Sequence, residues 1–146
     1  MAPVILYAED DPDDRLLAEL AVEQSGIPNA LVFVEDGEEA LEYLRGQGRY
    51  ASGSRGRRPG VVLLDLNMPR LGGRETLAKM KRDPELQAIP VVIFSTSSDR
   101  RDVADCYQLG ANTYVMKPDS MSRLVETMRT LASYWFDVGV LPPDAG

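Results

Sequence analysis

The sequence predicts an α/β chain: a doubly wound parallel sheet of five strands with five helices packed on its two faces. Two observations carry that expectation. Short apolar runs recur along the chain, continuous rather than alternating, and a longer stretch of helical periodicity follows each of them. Continuous β-branched runs suit strands buried on both faces, and strand alternating with helix is the pattern of parallel crossovers.

The first run, "PVILYA" at 3–8, leads into a helix start. Asp11 is suited to cap, Pro12 to the first helical position, and Asp13 and Asp14 to the positive end of the helix dipole. Leu16, Leu17, Leu20 and Ala21 then read as the buried face, and Gly26 with Pro28 ends the helix. After "ALVFV" at 30–34, Asp36 and Glu39 have capping-box spacing, and Ala40, Leu41 and Leu44 form an apolar face. Residues 46–60, "GQGRYASGSRGRRPG", are Gly-rich and aperiodic, a loop within the domain. "VVLLDL" at 61–66 is the third strand, with a helix from Arg74 to Arg82 that stops before Asp83-Pro84. "PVVIFS" at 90–95 precedes a helix over Asp99 to Leu109 closed by Gly110, and "TYVM" at 113–116 is the weakest strand signal. The last helix follows Asp119-Ser120 with Met121, Leu124, Val125, Met128, Leu131, Ala132 and Trp135 on one stripe.

The bulk numbers narrow the function. A length of 146 residues suits one domain, expected to span 1–146 with an apolar C-terminal extension over about 134–146. No apolar run approaches the length of a membrane helix, and "MAPVILYAED" has no signal-peptide pattern, so no membrane association is expected. The single cysteine, Cys106, excludes an intramolecular disulfide and agrees with a cytoplasmic location. A net charge of −7 argues against a nucleic-acid partner, and the basic cluster Arg55, Arg57 and Arg58 reads as a solvated loop. There is no histidine, which excludes Ser-His-Asp and Cys-His catalysis and imidazole metal sites.

Carboxylates, hydroxyls and a lysine must therefore carry any chemistry. Ligands of doubly wound sheets bind beyond the carboxyl ends of the strands. "YAEDDPDD" at 7–14 crowds acidic side chains at that end of the first strand, and Asp65 ends the third. If those strands are neighbours, Glu9, Asp10 and Asp65 meet in one pocket, a set of oxygen ligands suited to Mg²⁺. For Asp13 and Asp14 the simpler role of favouring the helix start is preferred. A carboxylate is also a nucleophile towards phosphorus, and such transfer needs a metal and a cation to offset phosphoryl charge. Lys117, in "YVMKPD", supplies a cation, Lys117-Pro118 is a candidate cis peptide, and Ser95 offers a hydroxyl.

In this order, "AEDD", "LLDLNMPRLGG", "PVVIFSTSS" and "GANTYVMKP" resemble the motifs of response-regulator receiver domains of two-component signalling, over about residues 3–136. The resemblance implies a flavodoxin-like fold with strand order 2-1-3-4-5. It implies Asp65 as phosphoacceptor, Asp10, Asp65 and the Asn67 carbonyl as Mg²⁺ ligands, and Glu9 acting through water. Lys117 would bind the phosphoryl group, Ser95 would be the switch hydroxyl and Tyr114 the switch aromatic, with Pro69 and Gly73 shaping the loop after Asp65. The expected role is a phosphorylation-dependent signalling switch that changes the surface of the fourth helix, fifth strand and fifth helix. It would be no enzyme beyond its own phosphorylation and dephosphorylation.

The 46–60 loop and "YWFDVGVLP" further resemble stand-alone regulators partnered with bacterial phytochrome histidine kinases. The tail, Trp135 and its neighbours, reads equally as cover for the core or as part of a homodimer surface formed with the fourth helix, fifth strand and fifth helix. Two other functions fit less well. An Mg²⁺-dependent aspartate phosphohydrolase usually carries a second Asp two residues after the nucleophile, where this chain has Asn67. A flavodoxin-like redox protein needs a phosphate cradle after the first strand, and "EDDPDD" would repel the phosphate. An unphosphorylated docking module would have lost Asp65, Asp10 or Lys117, and all are present.

Overall fold

The computed structural model describes residues 2–51 and 58–143. Strands β1 (Val4–Ala8), β2 (Leu31–Val34), β3 (Pro59–Leu64), β4 (Val91–Ser95) and β5 (Thr113–Met116) form one parallel sheet in the order 2-1-3-4-5. The central strands β1, β3 and β4 are almost wholly buried, whereas edge strands β2 and β5 are mostly half-exposed. The weak fifth run is thus an edge strand, with one side lacking a partner to bury it.

Helices α1 (Pro12–Ser25), α2 (Gly37–Arg45), α3 (Gly73–Arg82), α4 (Arg100–Gln108) and α5 (Met121–Ala132) divide between the faces. Helices α2, α3 and α4 bury Leu41, Leu44, Leu77, Met80 and Cys106 against Leu6, Val62, Leu64 and Ile93. Helices α1 and α5 pack with Ile5, Tyr7, Leu63, Val92 and Phe94 on the other face. The capping residues act as expected: Asp11 accepts from the Asp13 amide, Asp36 from Glu39 and Ser120 from Arg123.

Three expectations change. The buried face of α1 is Ala18, Ala21 and Ser25; Ala21 is buried as expected, but Leu16, Leu17 and Leu20 point to solvent. Residues 18, 21 and 25 share one stripe at helical spacing, and small side chains there let α1 lie close against α5. Every peptide bond among the described residues is trans, including Lys117-Pro118. With that bond trans, the Lys117 amide continues the β4–β5 pairing by donating to the Ser95 carbonyl at 2.8 Å. The 46–60 segment carries regular structure at both ends: Gly48–Tyr50 makes a short 3₁₀ turn, and Pro59 and Gly60 already belong to β3. Tyr50 seals that turn by packing edge-on to Tyr43 and donating to Glu39 at 2.5 Å. Of the basic cluster, Arg55 and Arg57 lie outside the described residues, and Arg58 donates to the Glu85 carbonyl at 2.9 Å.

The tail divides its side chains. After α5 the chain widens into a π-type turn over Ser133–Val138. Trp135 and Phe136 pack against the α1–α5 core, and Phe136 and Leu141 close over Gly60, where a Cβ would approach both within 3.0 Å. Tyr134, Val138 and Val140 face outward.

Candidate functional site

The sheet order makes β1 and β3 neighbours, and their parallel register continues past Ala8 and Leu64, with the Asp65 amide donating to the Ala8 carbonyl at 3.2 Å. Glu9, Asp10 and Asp65 therefore leave the sheet side by side. Each offers a carboxylate oxygen, and these oxygens lie within 4.8 Å of one another. Glu9 and Asp65 are buried and Asp10 is exposed, so the cluster opens to solvent on one side. Adjacent oxygen donors without nitrogen or sulfur suit a hard divalent cation, and the cluster has the chemistry of a divalent-metal site.

Lys117 reaches this pocket from the end of β5. Its Nζ lies 2.5 Å from Glu9 Oε1, 3.2 Å from Asp65 Oδ2 and 3.0 Å from Asp14 Oδ2. Burial opposes the charged form of Lys117, but hydrogen bonding to Glu9 and the charges of Asp65 and Asp14 outweigh it and raise its pKa. Glu9 has the opposite balance. Its burial first, with Asp65 beside it, pushes the carboxyl up to about 7 although Lys117 pulls it down. Glu9 also accepts from the Tyr7 hydroxyl at 3.3 Å and the Asp11 amide at 3.2 Å, which fix its carboxylate at the pocket floor.

The loop after β3 is held by close backbone approach. A Cβ at Gly73 would stand 2.3 Å from the Asp65 carbonyl oxygen, so only glycine lets α3 begin there. Arg70, at φ 61, sends its Nε to Asp36 at 2.6 Å, which ties the loop to the cap of α2. The Asn67 amide points back to Asp65 Oδ1 at 3.4 Å.

Ser95 ends β4, next in register to Met116 of β5, and its buried hydroxyl accepts from the Ser97 amide at 3.1 Å. Tyr114 is half-buried, and its hydroxyl donates to the Ser97 carbonyl at 2.8 Å. Ser97 in turn donates to Asp102 at 2.6 Å, and Asp102 pairs with Arg74 of α3. The loop between β4 and α4 thus connects Ser95, Tyr114 and α3. The structure brings together Glu9, Asp10, Asp65 and Lys117, and it ties Ser95 of β4 and Tyr114 of β5 to one adjoining loop through Ser97.

Two participants escape a reading of the sequence. Asp14 was expected only to favour the helix start, yet it touches Lys117; its spacing of four from Ala18 is the signal that puts it on the inner stripe of α1. Ser97 carries no sequence signal of its own.

A doubly wound sheet with an acidic cluster and a lysine at the carboxyl ends of its strands defines a class: α/β domains that keep their functional site at that end of the sheet. Comparison with known proteins narrows it. Residues 5–129 match the response regulator receiver domain. The response regulator Rcp1 of Synechocystis sp. is 37% identical over 139 residues, which cover 95% of this chain and 92% of Rcp1. The crystal structure of the phosphorylated cyanobacterial phytochrome response regulator RcpA superposes with a TM-score of 0.88 at 38% identity, covering 98% of this chain and all of RcpA. The Mn²⁺-bound form of Rcp1 gives a TM-score of 0.83 at 36% identity, covering 97% of this chain and 99% of Rcp1. The chain belongs to the response regulator receiver domain family. It is a signalling protein of two-component type. Among the described residues, no helix is long and apolar enough to cross a membrane.

Proposed function

We propose that the chain receives a phosphoryl group on Asp65 from a sensor histidine kinase and holds it as a signal. The observation that carries this reading is the Lys117 ammonium 3.2 Å from Asp65 and 2.5 Å from Glu9, beside a cluster of three carboxylates. An oxygen of Asp65 attacks the phosphorus of the kinase's phosphohistidine, the phosphorus–nitrogen bond breaks, and the imidazole leaves with its electron pair. Lys117 offsets negative charge on the phosphoryl oxygens. Glu9, Asp10, Asp65 and the carbonyl of Asn67 would hold Mg²⁺, the cation suited to an all-oxygen set. When bound it neutralises the carboxylates and the phosphoryl oxygens.

On the signalling side, Ser95 turns its hydroxyl to the phosphoryl group, and Tyr114 follows the loop that bears Ser97. The surface of α4, β5 and α5 changes with them. Exposed Tyr107, Met116, Tyr134, Val138 and Val140 lie on that surface and the tail beyond it, and support a homodimer there. The outward leucines of α1 follow the acidic pocket along the chain and offer an apolar contact to the kinase that brings its phosphohistidine to Asp65. The likeness to RcpA over nearly the whole chain supports a bacteriophytochrome as that kinase. The cytoplasm, where such a kinase meets ATP, is the matching location.

The test is the intact mass after incubation with acetyl phosphate. One phosphoryl adduct is expected with Mg²⁺, and none with chelator or in Asp65→Asn. An adduct that persists in Asp65→Asn overturns the assignment of the acceptor.

A further inference from the structure

Lys117 has one carboxylate more than the proposed chemistry uses. Glu9 and Asp65 belong to the metal cluster and Asp65 accepts the phosphoryl group, but Asp14 does neither. It nonetheless lies 3.0 Å from the ammonium, well inside the range of a charged hydrogen bond. An ammonium has three N–H donors, and all three are engaged, by Glu9, Asp14 and Asp65.

The placement of Asp14 is built into α1. It precedes Ala18 by four residues and Ala21 by seven, so it continues the stripe that packs α1 onto the domain. The start of that helix is fixed from two sides: Asp11 caps it, and Arg15 Nε donates to the Glu9 carbonyl at 2.7 Å. Asp13, its neighbour, is exposed, and none of the contacts of Lys117 involves it.

We propose that Asp14 is a positioning residue that holds Lys117 towards α1 in the unphosphorylated protein and is displaced when the lysine turns to a phosphoryl oxygen. The inference rests on the phosphoryl-accepting role proposed above. A phosphoryl group on Asp65 brings oxygens that need an N–H of Lys117. Glu9, Asp10 and Asp65 would hold the cation with their carboxylates, which would leave Asp14 as the rival for the lysine. Asp14 therefore weakens the phosphorylated state and sets how readily the site gives up Lys117. Its side chain is 37% exposed against 11% for Lys117, so solvent can take up the released carboxylate at small cost.

The experiment is a calorimetric titration with beryllofluoride, a phosphoryl mimic, at saturating Mg²⁺. Asp14→Asn and Asp14→Ser should each tighten binding about threefold to fivefold, as expected for loss of one partly exposed competing ion pair. Asp14→Glu should remain close to wild type. Asp13→Asn makes the same change of net charge one residue away without touching Lys117, and should leave the affinity within about twofold. Equal tightening in Asp13→Asn and Asp14→Asn would reduce the effect to general electrostatics and overturn the proposal. Unchanged affinity in both Asp14 variants also overturns it, while the receiver chemistry stands. Absence of beryllofluoride binding in the wild type instead overturns that chemistry, and the role of Asp14 with it.

Discussion

Helices α1 and α5 lie side by side on one face of the sheet and spend their apolar side chains in opposite ways. Helix α5 turns Leu124, Val125, Met128 and Ala132 inward, with Met128 only 1% exposed. Helix α1 buries alanines and a serine and leaves Leu16, Leu17 and Leu20 at 54%, 45% and 38% exposure. The two helices pack against each other, and both join the same core. The difference is therefore one of task. The apolar stripe of α5 is buried within the fold, whereas the leucines of α1 leave 38–54% of their surface uncovered and available to a partner.

The largest expected effect tests the structural half of that contrast. Met128→Ala removes a wholly buried side chain and should destabilise the protein by about 2–5 kcal/mol in urea unfolding. Leu16→Ala, of similar size but outward, should change stability by no more than about 0.5 kcal/mol. A loss of several kcal/mol from Leu16→Ala would show that α1 buries its leucines after all, and would erase the contrast.

The functional half comes next. Leu16→Ser with Leu20→Ser should slow phosphoryl transfer from the kinase about tenfold, the scale of losing an apolar anchor at an interface. Acetyl phosphate, which needs no protein contact, should still phosphorylate the double variant at the wild-type rate. Comparing the two donors separates docking from chemistry. Equal slowing with both would assign the leucines to the site's integrity.

This contrast also explains where the sequence was legible. Strands β1, β3 and β4 were plain because short continuous apolar runs such as Val61–Leu64 suit strands buried on both faces, and the caps at Asp11, Asp36 and Ser120 follow from local hydrogen bonding. Glu9, Asp10, Asp65 and Lys117 could be placed together because strand ends in a parallel sheet converge by topology. The face of α1 could not, because hydrophobic periodicity reports a stripe without saying what covers it. Leu16, Leu17 and Leu20 form a better stripe by size than Ala18, Ala21 and Ser25, and only the closeness of α5 decides for the smaller set. Asp14 was hidden by the same error. Once the stripe is turned to Ala18, Asp14 moves from a solvated first turn to the side of Lys117.

The tail repeats the contrast within six residues and gives the smallest effect. Trp135 and Phe136 face the core, while Tyr134 and Val138 face solvent from the same turn. Tyr134 packs edge-on against Trp135 at 4.9 Å, so the inward ring fixes the outward one in place. An outward aromatic held rigid loses little entropy on binding, which suits the proposed interface between two copies of the chain. Tyr134→Ser with Val138→Ser should leave urea unfolding of the monomer within about 0.5 kcal/mol of wild type. Sedimentation of the beryllofluoride-bound protein should then show a shift from dimer to monomer. A wild type that sediments only as monomer, with and without beryllofluoride, would remove the homodimer. Tyr134 and Val138 would then stand exposed without a second copy to cover them, and α1 alone would keep an apolar surface with an assigned partner.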